Sequence, residues 1–170
     1  MWSLCYYILV NEFIKDRYKK CISKYIFFIM LIIEIISINI NDPKLLCLAM
    51  ILLFQSITDY INNDVYSFFN LLLLLININN INSMNYSSFL VPIILLIINK
   101  AINGIGFGDI EIIFVLSFIF NIYELFLILF FASSLNLIYA FFYKKDKYPF
   151  IPFLSIAILI IYFVSNANIK

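Results

Sequence analysis

The chain contains no histidine. That absence removes Ser-His-Asp and Cys-His nucleophilic mechanisms, the HExxH zinc site and the usual haem ligand. Cysteine is scarce: Cys5, Cys21 and Cys47 stand apart, with no CxxC pair. Neither a zinc ribbon nor a disulfide framework fits that spacing, and the three read as isolated small apolar side chains. Charged residues make up only 12% of the chain and the formal net charge is +1, which excludes a broad nucleic-acid surface. The side chains left for chemistry are carboxylates, lysine, serine and tyrosine. Glycine occurs three times in 170 residues, always between positions 104 and 108.

What remains is apolar. Hydrophobic residues make up 65% of the sequence and mean hydropathy is +1.04. A soluble domain is closer to half apolar and a quarter charged, and so short a chain has no core large enough to hide the excess. The composition predicts an all-α fold, a polytopic transmembrane helical bundle of six to seven spans. No basic n-region followed by a small-residue cleavage site is evident, so no cleavable signal peptide is expected.

Polar breaks divide the apolar runs. Ser3 to Val10 is too short to span and reads as an interfacial helix or partial span, followed by a polar, basic stretch from Asn11 to Lys24. Residues 1–24 are thus read as an N-terminal segment and 25–170 as the membrane-embedded domain. Spans are expected near Tyr25–Ile40, Leu45–Thr58, Val65–Ile76, Phe89–Ile102, Asp109–Asn121, Tyr123–Tyr143 and Pro149–Val164. Cytoplasmic loops carry the excess of Lys and Arg. The basic run Lys15 to Lys24 and the loop of Lys144, Lys145 and Lys147 are separated by six spans, so both fall on one side. The same walk puts Asp59 and Asp109 on that cytoplasmic side, each at a helix end.

Gly104, Gly106 and Gly108 lead directly into Asp109. Glycine permits close backbone approach and positive φ, so this run reads as a break built to present the acid. An ionisable group at membrane depth is a functional-site hypothesis by default. Two carboxylates held close share a proton: the ionised one can take a proton from water, and the protonated one can donate to a carbonyl oxygen. Asp109 near a helix N-terminus would be the base and Asp59 after a helix C-terminus the acid. The bland alternative is that both acids are solvated helix caps.

Gly106-Phe107-Gly108-Asp109 matches the GxGD signature of membrane-embedded aspartic proteases, and the wider sequence resembles the type IV prepilin peptidases. Asp59, with Val65 after five intervening residues, resembles that family's first aspartate motif. Tyr148-Pro149-Phe150-Ile151-Pro152-Phe153-Leu154 resembles the start of its last helix. The resemblance covers about Leu45 to the C-terminus. It implies an aspartic endopeptidase with Asp59 and Asp109 catalytic, facing the cytoplasm from the cytoplasmic membrane and using no cofactor and no metal. Its partners would be pilin-like precursors with a short basic leader and a single hydrophobic helix, serving pilus, secretion or competence assembly. Glu111 stands where the family has lysine, and Tyr66 where it has proline. The cysteine-rich insert of longer members is absent, which leaves a short, peptidase-only form.

Three more charges are candidate modulators. Glu34 lies mid-span, where an unpaired charge costs roughly 2.5–3.5 kcal/mol; it is expected to face the bundle interior. Lys100 lies at the depth of Asp109, either partnering Glu111 or snorkelling to the interface. Glu111 itself adds a third acid near the pair. Asp64 is the rival to Asp59, and Glu124 is expected on the external side in water. Two other classes remain open: a non-catalytic membrane scaffold related to such peptidases, favoured by Glu111 and the lost proline, and a small transporter with a broken helix around an ion site.

Overall fold

The computed structural model describes residues 2–19, 43–77, 86–102, 104–143 and 148–167. The expected span Tyr25–Ile40 with Glu34, the thiol of Cys21, the basic run beyond Lys19 and the loop of Lys144, Lys145 and Lys147 lie outside the described residues. Within them every regular element is helical: α1 Trp2–Tyr18, α2 Pro43–Asn62, α3 Ser67–Asn77, α4 Leu90–Ile102, α5 Phe107–Leu116, α6 Ile122–Phe142 and α7 Ile151–Ala167. A 3₁₀ turn, Tyr86–Phe89, leads into α4.

The chain divides into two compact units, Met1–Phe54 and Gln55–Lys170, with the break inside α2. In the first, α1 runs on through Asn11 to Tyr18, where the sequence suggested a basic stretch outside any helix. Straight-chain Glu, Lys and Arg are good helix formers, and Lys15 and Arg17 in the last turn complement the C-terminal dipole. Lys19 adopts φ 53° and closes the helix with its N–H on the Lys15 carbonyl. The Tyr6 hydroxyl donates to the Met50 carbonyl, and the Phe13 and Phe54 rings lie 5.4 Å apart. Val10, Ile14, Leu48 and Leu52 are buried.

In the second unit α6 and α7 make the most extensive helix contact, and α5 packs against both α3 and α4. The core holds Leu73, Ile112, Leu116, Leu125, Leu154 and Ile158. Rings of Phe89, Phe114 and Phe118 close one end; Phe89 and Phe118 meet edge to face at 4.7 Å. Ser56 and Ser155 hydroxyls join α2 to α7 at 2.8 Å. α5 stops at Leu116, short of the expected Asn121. The Ser117 hydroxyl folds back on the Phe114 carbonyl, and the chain continues in tight turns to Phe120. α6 then starts with a capping box: the Glu124 N–H donates to Asn121 Oδ1 and the Asn121 N–H to Glu124 Oε2. Glu124, half-buried, is therefore a helix cap.

Among the described helices only α6, with 21 residues and mean hydropathy 2.2, is long and apolar enough to cross a membrane. Leu46–Asn62, Ser67–Ile76, Tyr86–Ile102 and Ile151–Tyr162 are apolar but shorter.

α2 ends at Asn63, whose φ is 56° and whose N–H bonds the Asp59 carbonyl. Asparagine tolerates this left-handed position; a β-branched residue does not. Asn63→Gly is expected to leave the thermal midpoint in detergent nearly unchanged, whereas Asn63→Val should lower stability by about 1–2 kcal/mol.

Candidate active site

Asp59 lies in the last turn of α2 and is only 4% exposed. Its Oδ2 accepts the Ile151 N–H at 2.9 Å, and the Phe150 backbone also bonds it. These amides open α7, whose first N–H groups have no partner within their own helix. The Pro149-Phe150-Ile151-Pro152 run thus places a helix start on Asp59. The contrast drawn from the sequence, one acid at a helix N-terminus and the other at a C-terminus, does not survive this geometry: both carboxyls face helix starts. The dipole argument no longer separates acid from base.

Asp109 is the third residue of α5, counted from Gly106 as N-cap. The Gly106 backbone hydrogen-bonds its carboxyl, and Asp59 is near enough to act on it electrostatically. Gly106 has φ −61° and ψ 136°, and no described glycine has positive φ. The glycines serve close approach instead. A Cβ on Gly106 would sit 2.9 Å from Asp109 Oδ2. One on Gly108 would sit 2.5 Å from the Cβ of Val65. Gly104 is different: the nearest atom to a Cβ there is Ile102 Cγ2 at 3.7 Å, ordinary contact. The loop is further tied to α4 by the Ile105 N–H on Asn99 Oδ1 at 2.9 Å.

Asp59 and Asp109 line one cavity of about 870 Å³. All three glycines, Glu111 and Tyr148 also border it. That volume falls within the roughly 300–1,000 Å³ of ordinary ligand pockets. Asp64, the rival acid, is exposed and outside the lining. So is Lys100. Glu111 does not turn to Lys100. Its Oε2 accepts from Ser67 Oγ at 2.7 Å and Asn70 Nδ2 at 3.2 Å. Asn70 Oδ1 in turn accepts from Gln55 Nε2 at 2.8 Å, which also reaches the Tyr66 carbonyl. Gln55 precedes Asp59 by one helical turn on the same face of α2. The relay therefore links the helix carrying Asp59, through α3, to the helix carrying Asp109.

Sequence reasoning passed over Gln55, Asn70, Asn99 and Asn136. The available signal was an amide inside an apolar run, the same signal that singled out Glu34. No group of three or more metal-ligating side chains occurs among the described residues. Compared with protein-family models, curated proteins and solved structures, the chain matches none.

Alanine substitution separates Gly108 from Gly104. Alanine normally favours a helix over glycine by about 0.5–1 kcal/mol. At Gly108 the obstructing atom is a branched Cβ that cannot swing aside, so overpacking of about 1–3 kcal/mol should prevail. Thermal midpoints in detergent should fall for Gly108→Ala and stay level for Gly104→Ala. An unchanged Gly108→Ala midpoint would refute the close approach.

Proposed function

We propose that the chain is a membrane-embedded aspartic endopeptidase of the prepilin-peptidase type. The observation that carries this reading is that Asp59 and Asp109, far apart in sequence, border one cavity together with the glycine run. Two facing carboxylates, one ionised and one protonated, are sufficient for peptide hydrolysis. The ionised group removes a proton from water as the oxygen attacks the scissile carbonyl carbon. The protonated group gives its proton to the carbonyl oxygen. Collapse of the tetrahedral adduct breaks the C–N bond, and the amine leaves with a proton returned by the dyad.

The substrate is a pilin-like precursor whose basic leader precedes one hydrophobic helix. That helix lies against the bundle and sets the register of cleavage. The exposed apolar surface of α6, with Phe126, Leu127, Phe130, Leu137 and Phe141, suits acyl chains. With the shorter apolar helices it supports a multi-pass placement in the cytoplasmic membrane. The two basic clusters of the sequence orient the cavity toward the cytoplasm.

The test is co-expression with a pilin-like precursor from the same genome, comparing wild type with Asp59→Asn and Asp109→Asn at matched accumulation. Asparagine at 59 still offers an acceptor to the Ile151 N–H, so the fold should survive. Each substitution should reduce leader removal by roughly 10²–10⁴-fold. Processing that persists in either variant would rule out the dyad and return the chain to the scaffold or transporter class.

A further inference from the structure

A peptide is cut only where its helix is unwound. At membrane depth an unwound segment exposes N–H and C=O groups that water cannot satisfy, so the protein must supply partners. The aspartates serve the scissile carbonyl and the attacking water, which leaves the neighbouring main-chain groups to be held by something else.

Asn136 lies in α6, the most membrane-like of the described helices. It borders the cavity with Ser133 and Leu129, one and two turns earlier on the same face. Its Oδ1 is shielded from solvent and has no hydrogen-bond partner among the described residues. Nearby Ser134 behaves differently: its hydroxyl folds back onto the Phe130 carbonyl of its own helix. An unsatisfied buried amide is costly. An asparagine side chain carries an acceptor and a two-proton donor next to each other, the pair needed to match one N–H and one C=O of an extended strand. Whichever way the amide is turned, both functions face the same neighbourhood.

We propose that Asn136 is a substrate-positioning residue: its side-chain amide pairs with the main chain of the unwound peptide segment lying beside Asp59 and Asp109. This rests on the peptidase reading for the identity of the ligand. Asn136 touches no reacting atom, so its loss should weaken binding more than it slows the chemical step.

The probe is a synthetic peptide with a lysine-containing leader, a glycine junction and a leucine–alanine helix, alongside a series in which single junction amides are replaced by esters. Binding is measured in nanodiscs to Asp109→Asn protein, with and without Asn136→Leu, so no turnover is needed. We expect Asn136→Leu to hold or raise the thermal midpoint while weakening binding of the all-amide probe about tenfold. One ester position should cost the Asn136 protein about tenfold and the Asn136→Leu protein nothing. In the Asp109-intact protein the same substitution should raise KM with a smaller change in kcat. A fall in midpoint that parallels the lost binding would make Asn136 merely structural and overturn the proposal. Equal ester penalties in both proteins at every position would also overturn it, since the amide would then not touch the main chain. If Asp109-intact protein binds the probe but cuts neither it nor any precursor, the peptidase reading fails while the ester comparison still decides Asn136. If the probe does not bind at all, both fall.

Discussion

The second unit depends on how closely the first turn of α5 approaches the segment that follows α2. At Gly108 there is no room for a single methyl group, because the branched Cβ of Val65 already occupies it. This contact fixes the distance between the helix that ends after Asp59 and the helix that begins just before Asp109. The two carboxyls border one cavity, and the start of α7 is brought to Asp59 through the Ile151 N–H.

Gln55, Asn70, Ser67 and Glu111 form one relay, and Ser56 and Ser155 a separate pair. In an apolar bundle, dispersion alone discriminates poorly between one helix register and the next. Hydrogen bonds between amides and a carboxylate are directional, and a slipped register leaves them unmade. The relay does for Glu111 what a cationic partner would do: it gives the third acid two donors and holds it on the α3 side of the cavity.

The cavity's ionisable side chains are of few types. With no histidine in the sequence, they are the carboxyls of Asp59, Asp109 and Glu111 and the phenol of Tyr148. Carboxylates at depth need N–H groups that do not themselves titrate, and helix starts supply them: α7 to Asp59 and the Gly106 backbone to Asp109. The same economy explains why glycine appears only in one run. Among the described residues, Gly106 and Gly108 are where an added Cβ would press against a neighbouring side chain.

Helical class and the positions of most described helices were legible in the sequence, because apolar periodicity, proline and glycine act locally. α6 and α7 appear within a few residues of where the pattern places them, and Asp59 was preferable to Asp64 by motif spacing alone. Local signals misjudged α1, whose basic residues continue the helix, and α5, which Ser117 ends early. They could not assign the glycines their purpose, since positive φ and close approach both read as glycine; only the distance to Val65 decides between them. Nor could they show that Asp59 faces a helix start, that Glu111 turns to Ser67 and Asn70 rather than Lys100, or that Asn136 borders the cavity. Each of those facts joins residues 41 to 92 positions apart in a folded chain or depends on which face of a helix looks inward. The sequence alone determined which segments are helical and which side chains are available for chemistry. The tertiary structure alone decided which of them meet, because a carboxylate's function depends on what lies a few ångströms away.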